Sequence, residues 1–188
     1  MSNFVNTVDN IGDELLTNSI IDRSIGEIAD SHTISVGDSA FYGCSALAAV
    51  NFPAAISVGG FAFYDCSALE KADFPAATSI GGNAFGNCRA LVNVDFHAVT
   101  KIRVQSFDGC SALTTLILRS ETMATLVDTT AFSNTPIKSG TGYIYVPAAL
   151  VDSYKAATNW STYADQFRAL EDYTVDGTTT GALDEAKI

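Results

Sequence analysis

A chain of 188 residues holds one domain with room for a sizeable core, and 47% hydrophobic against 16% charged residues marks it as folded rather than disordered. Its net charge of −11 repels a phosphate backbone, so nucleic acid is set aside as a partner. No segment is long and apolar enough for membrane insertion.

The chain opens on "MSNFVNTVDNIGDELL", which has neither a basic n-region nor an unbroken apolar run, so no conventional signal peptide is read there. Val8, Ile11, Leu15, Leu16 and Ile20 fall near helical spacing, with Thr7 or Asp9 available as N-cap. A helical cap over residues 1–24 is expected.

From residue 25 a repeat organises everything. Cys44, Cys66, Cys88 and Cys110 follow one another at a constant step of 22 residues. Phe41, Phe63, Phe85 and Phe107 recur three residues before each cysteine, and Leu47, Leu69, Leu91 and Leu113 three after. Val50, Ala72, Val94 and Leu116 keep the same step, as do Phe52, Phe74, Phe96 and Leu118. Weaker copies flank these: "SIGEIAD" upstream, then "TAFSNTPI" with Thr135 in the cysteine slot, and "IYVP" at residues 144–147. Residues 25–147 therefore read as about five stacked coils, enough to bury a continuous core.

Within a copy, L-x-x-V-x-F alternates inward and outward residues and predicts a short strand, ended by proline where it follows. "SVGG" and "SIGG" predict a second short extended piece turning at glycine. "AFYGCSAL" predicts a helical turn, with its Phe, Cys and Leu on one side. Parallel strands of successive coils would stack about 4.8 Å apart.

After Pro147, "ALVDSYKAA" and "STYADQFRAL" predict two short helices, the second N-capped by Ser161, with Trp160 between them as anchor of a helical cap over 148–172. Residues 173–188 are polar and glycine-containing, a mobile tail or one hairpin through Asp176-Gly177.

The runs "ISVGDSAFYGCSALAAVNF", "ISVGGFAFYDCSALEKADF" and "TSIGGNAFGNCRALVNVDF" resemble the BspA-like leucine-rich repeat, whose pattern is of the kind S-I-G-x-x-A-F-x-x-C-x-x-L-x-x-I-x-x-P. The segment from Tyr143 to Phe167 resembles the helical piece that closes such arrays. The resemblance implies an α/β solenoid, a right-handed superhelix of leucine-rich repeats with helical caps at both ends. It further implies a bacterial surface, secreted or prophage-encoded protein. Two departures stand out: Ala55, Ala77 and Val99 occupy the slot of the usual asparagine ladder, and Arg103 replaces a glycine in the fourth copy.

Chemistry is thinly represented. A cysteine in step with inward Phe and Leu is expected as a buried thiol. Zinc would want C-x-x-C or Cys/His pairs, and stacked thiols point parallel rather than at one another, against disulfides. His32 and His97 lie in no motif with a nucleophile and are expected at the surface. Neither an enzyme, a cofactor nor a metal is expected. Asp73 and Asp95, if stacked, could share a calcium ion or simply form a solvated acidic strip. Tyr42 and Tyr64 repeat on another face, where they could stack on a sugar or pack over the coil edge.

Binding is the expected role. The outward slot of the strands reads Asn51, Asp73, Asp95, Ile117 and Tyr145, with Glu70, Lys71 and Asn93 beside it. Variation between copies concentrates there while inward slots hold. The reading is a non-enzymatic module, monomeric, recognising a protein or cell-surface glycan through Asn51, Glu70, Lys71, Asp73, Asn93, Asp95 and Tyr145. The alternative is a structural or accessory component of a phage particle, favoured by terminal caps and the missing signal peptide.

Overall fold

The computed structural model describes residues 26–175 and 178–179. The helix expected over 1–24 lies outside them, as does most of the tail. Ten short strands alternate through the coils: β1 Glu27–Ala29, β2 Ser35–Val36, β3 Ala49–Asn51, β4 Ser57–Val58, β5 Lys71–Asp73, β6 Ser79–Ile80, β7 Asn93–Phe96, β8 Lys101–Ile102, β9 Thr115–Leu118 and β10 Thr125–Leu126. All pair in parallel, and the sequence period is the ladder register. Val50 faces Ala72, Val58 faces Ile80, and Val94 faces Leu116. The strands β2, β4, β6, β8 and β10 make one continuous sheet. Each coil thus contributes one rung to each of two walls, the arrangement of a repeat solenoid.

Between the walls the inward residues stack on their own copies. Phe41, Phe63, Phe85, Phe107 and Phe132 form one column of near-parallel rings, with centroids 5.0, 5.3, 5.3 and 5.5 Å apart. Phe52 and Phe74 stack at 5.7 Å beside this column, and Phe96 tilts against Phe107 at 6.2 Å. Ala55, Ala77 and Val99 are buried as well, so apolar contact replaces the asparagine ladder.

The segment expected as a helical turn is not helical. Its N–H groups alternate in direction: Ala40, Tyr42 and Cys44 bond three residues back, while Ser39, Phe41 and Gly43 donate to Gly60, Ala62 and Tyr64 of the next coil. A helix would turn every N–H inward along its own axis and leave the coils unjoined. The alternation needs left-handed residues at two slots per coil. Ser39, Phe61, Asn83 and Gln105 hold the first, and Gly43, Asp65, Asn87, Gly109 and Asn134 hold the second. Glycine is required elsewhere for close approach, since a Cβ on Gly81 would lie 2.4 Å from the Gly59 carbonyl carbon.

The other wall is broken once. Strands β1, β3 and β5 form one sheet, and β7 and β9 join β11 (Tyr143–Val146) and β12 (Phe167–Ala169) in another. The interruption falls where Asp73 and Asp95 would stand in neighbouring rungs, and like charges directly opposite destabilise a ladder.

The first described coil carries polar atoms in its inward slots, and the last is covered by a mainly aromatic segment. At the first coil, Asp30 and Thr33 occupy the slots of Phe52 and Ala55, and the Thr33 hydroxyl donates to Asp30 at 2.5 Å. After the last coil, α1 (Pro136–Ser139), capped by Thr135, leads into β11 and then α2 (Val151–Ala156). The second expected helix is instead a run of 3-10 turns, Trp160–Gln166, interrupted at Tyr163, followed by β12. Phe167 pairs with Ile144 and is buried on Tyr154 and Trp160, so sheet and core take a residue that a helix would have carried away.

That closing segment satisfies orphan backbone groups of the last coil. Trp160 Nε1 donates to the Ala124 carbonyl at 2.7 Å, and the Ala124 N–H donates to the Tyr154 hydroxyl at 2.8 Å. Tyr163 donates to Thr129, and the Asn159 amide donates to Leu126 and Val127. Beyond it, β13 (Thr174–Val175) and β14 (Thr178–Thr179) pair antiparallel.

Candidate functional site

The outward column of the broken wall starts from register. Asn51 faces Asp73, Asp95 faces Ile117, and Ile117 faces Tyr145, whose other neighbour is Arg168. Asn51, Glu70, Lys71 and Asn93 are exposed, and Asp73 is half-buried. Burial first, and the nearby Asp95 charge as well, hold the Asp73 carboxyl above its ordinary value, while His97 opposes them.

Asp95 is already engaged. Arg119 Nε donates to its Oδ1 at 2.7 Å, Nη2 bonds Oδ2, and His97 Nε2 lies 3.8 Å from Oδ1. A carboxylate held by a bidentate guanidinium has little left for a calcium ion. Among the described residues, no group of three or more His, Cys, Asp or Glu side chains could hold a metal.

The far end of the column is covered by the chain itself. Tyr173 follows the turn Leu170–Asp172 and meets the Tyr145 ring edge-on at 4.8 Å. Burial raises its hydroxyl, which also feels the charges of Asp95 and Arg119. Ile117, outward by register, is only 3% exposed. The Arg119 side chain is 10% exposed, and its Nη1 is buried without a hydrogen-bond partner. Asn51, Glu70, Lys71, Asp73 and Asn93 remain open, whereas Asp95 and Tyr145 are held by Arg119 and Tyr173.

No thiol is positioned for reaction. None of the four cysteines is in a disulfide, and all four are buried. Cys66, Cys88 and Cys110 donate to the carbonyls of Phe41, Phe63 and Phe85 in the preceding coil, at 3.1, 3.2 and 2.9 Å. Burial pushes the Cys66 thiol up to about 12 and raises Cys88 well above the ordinary range. His32 is exposed beside Asp30, with the hydroxyl of its chain neighbour Ser31 3.4 Å from Nδ1, and His97 lies beside Asp95.

A second surface was not foreseen as a unit. On the turn segments, the Tyr42 and Tyr64 rings stack at 5.2 Å and 16°, and Phe61 tilts against Tyr64 at 5.5 Å. Tyr42 and Phe61 are 42% and 43% exposed. The Tyr64 ring lies over Gly86, where a Cβ would come within 2.6 Å, and its hydroxyl accepts from the Asn87 amide at 3.2 Å. The column Ser39, Phe61, Asn83, Gln105 carries the signal, because one bulky aromatic interrupts small or polar residues.

Residues 34–143 match the model of the BspA type leucine-rich repeat region in six copies. The chain belongs to this family. Among solved structures, the BspA-type chain is similar to the T. pallidum leucine-rich repeat protein TpLRR, with 21% identity and a TM-score of 0.56 over 66% of this chain and 59% of that one. It also matches a leucine-rich repeat protein from Bacteroides ovatus ATCC 8483, with 21% identity and a TM-score of 0.38 over 66% and 40% of the two chains. This chain therefore spans less than two thirds of either protein, and the likeness to TpLRR is one of fold. No curated protein matches it. The BspA-type repeat makes the chain a protein-interaction module by architecture, and nothing among its described residues indicates catalysis. No helix among them is long and apolar enough to cross a membrane.

Proposed function

We propose that the chain is a non-enzymatic adhesion module that recognises a protein or glycan on a host surface through the open part of its strand wall. The observation that carries this reading is the contrast between slots of one repeat. Val50, Val94 and Leu116 are buried alike, while the neighbouring outward positions change from Asn51 to Asp73 to Asp95 to Ile117. A repeat builds surface without concentrating reactive groups, so function resides where the copies differ. Asn51, Glu70, Lys71, Asp73 and Asn93 supply that surface, and the covered Ile117 bounds it.

The deciding experiment sets a glycan array beside binding to intact host cells, for the natural chain and an Asn51→Ala, Asp73→Ala double variant. Binding that the double variant loses supports the reading. Binding that it retains moves the site off this wall.

A further inference from the structure

We propose that Tyr42, Phe61 and Tyr64, flanked by Asp38 and Asp65, form a docking patch for an arginine- or lysine-bearing segment of a protein partner. The patch lies on the turn segments, apart from the strand wall, so it stands or falls independently of the reading above.

Phe61 carries the argument furthest. Its backbone sits at φ 56°, a conformation that Cβ sterics disfavour and that bulky side chains rarely adopt. The same slot holds Ser39, Asn83 and Gln105 in the other coils, so the fold has no need of an aromatic there. Nor is the ring buried for stability, being 43% exposed. Among the described residues its one ring contact is with Tyr64, itself part of the patch, and backbone strain kept at a half-exposed side chain is characteristic of binding sites.

The surroundings select the partner's chemistry. The Asp38 carboxylate accepts the Gly60 N–H at 2.6 Å, which places it beside Phe61. Asp65 is exposed next to Tyr64. Residues 26–70 contain no Lys or Arg, while Glu27, Asp30, Asp38, Asp65 and Glu70 are all acidic. Aromatic rings ringed by unpaired carboxylates attract a cation twice, through the ring quadrupole and through charge. The rings are also held in place, Tyr64 by Tyr42, Gly86 and the Asn87 amide, so little ordering is left for binding to pay.

The experiment follows a fluorescein-labelled oligo-arginine peptide by anisotropy at about 0.15 M salt, where general charge attraction is screened beyond roughly 8 Å. Phe61→Asn and Tyr42→Ala should each weaken binding about fivefold or more, as should Asp38→Asn with Asp65→Asn. Asp152→Asn, on α2, should leave it unchanged. Thermal melts establish that Phe61→Asn is folded, since Asn83 already adopts that conformation. Equal affinity for the natural chain and both aromatic variants overturns the proposal, because charge alone would then explain binding. Self-association that Phe61→Asn abolishes overturns it in favour of a second copy, and saccharide binding lost in the same variants overturns it in favour of a glycan.

Discussion

The Sγ of Cys66 donates to the carbonyl of Phe41 at 3.1 Å, one coil back along the stack. That oxygen also accepts the Cys44 N–H at 3.1 Å, so both of its lone pairs are used. The cysteine is thus more than a small apolar filler; it supplies a donor that alanine lacks. Cys66→Ala and Cys88→Ala should each lower stability by about 1–2 kcal/mol, combining a small cavity with a half-satisfied buried carbonyl. Urea unfolding of the single variants measures this, with unchanged m-values as the sign that the fold is intact.

The buried thiol also sets a pH dependence. Cys66 is raised from 9.0 to about 12, and Tyr163 from 10.0 to about 12, in both cases chiefly by burial. A group whose folded value exceeds its unfolded value contributes stability below the unfolded value and loses it as pH rises toward the folded one. Stability should therefore decline from about pH 9 and keep falling to about 12. Cys66→Ala should show a shallower alkaline decline in a melting series. In the native chain at neutral pH, a thiol reagent should react only after denaturant is added.

Arg119 and Asp95 form the one bidentate ion pair among the described residues. Arg119→Met leaves Asp95 half-buried and unpaired next to Asp73, and should cost about 2–3 kcal/mol. Asp95→Asn should cost less, and the double variant should recover part of the loss. Additive losses in this cycle would mean that the pair is only a surface contact.

Tyr173 lies close enough to this pair to feel both charges, and whether its ring shields Arg119 is measurable by chemistry. In the full chain Arg119 should resist phenylglyoxal, and in Tyr173→Ala it should be modified, as read by peptide mass mapping. The exposed Arg89 serves as internal standard in both. Equal protection of Arg119 in the two proteins would show that other residues cover it.

At the closing segment, Tyr154→Phe removes only the oxygen that accepts the Ala124 N–H, and should cost about 1–2 kcal/mol. Trp160→Ala removes a ring packed on Phe132, Tyr154 and Phe167 together with a bond to Ala124, and should cost about 3–5 kcal/mol. Differential scanning calorimetry distinguishes the two.

Phe61→Asn should raise stability by about 1 kcal/mol, because asparagine accepts the left-handed backbone at lower cost. A lower melting temperature would show that the contact of Phe61 with Tyr64 outweighs the strain.

The repeating part was legible because every inward residue is its own neighbour one coil later. Spacing in the sequence is then spacing in the core, so Phe41 on Phe63 and Val50 beside Ala72 follow from the sequence alone. What failed was whatever depended on direction rather than period. Phe, Cys and Leu three apart fit a helical turn and a chain of left-handed turns equally well, and only the alternating N–H groups separate them. Asp95 and Tyr145 read as open because their partners do not repeat: Arg119 stands where other copies carry Pro53, Pro75 and His97, and Tyr173 lies beyond the array. Phe167 looked helical from its neighbours until its partner Ile144 was known.

The constant offset of every rung through the first four full coils also bears on how such a chain changes over generations. Loss of one whole copy, say residues 63–84, would bring Phe41 under Phe85 and Val58 under Ile102 with no rung mismatched. Only the copy whose atoms Trp160, Tyr154 and Asn159 address is irreplaceable. Unequal recombination between copies would therefore tend to yield shorter or longer descendants that still fold, and the reach of the binding surface becomes a quantity that selection can adjust in whole-coil steps.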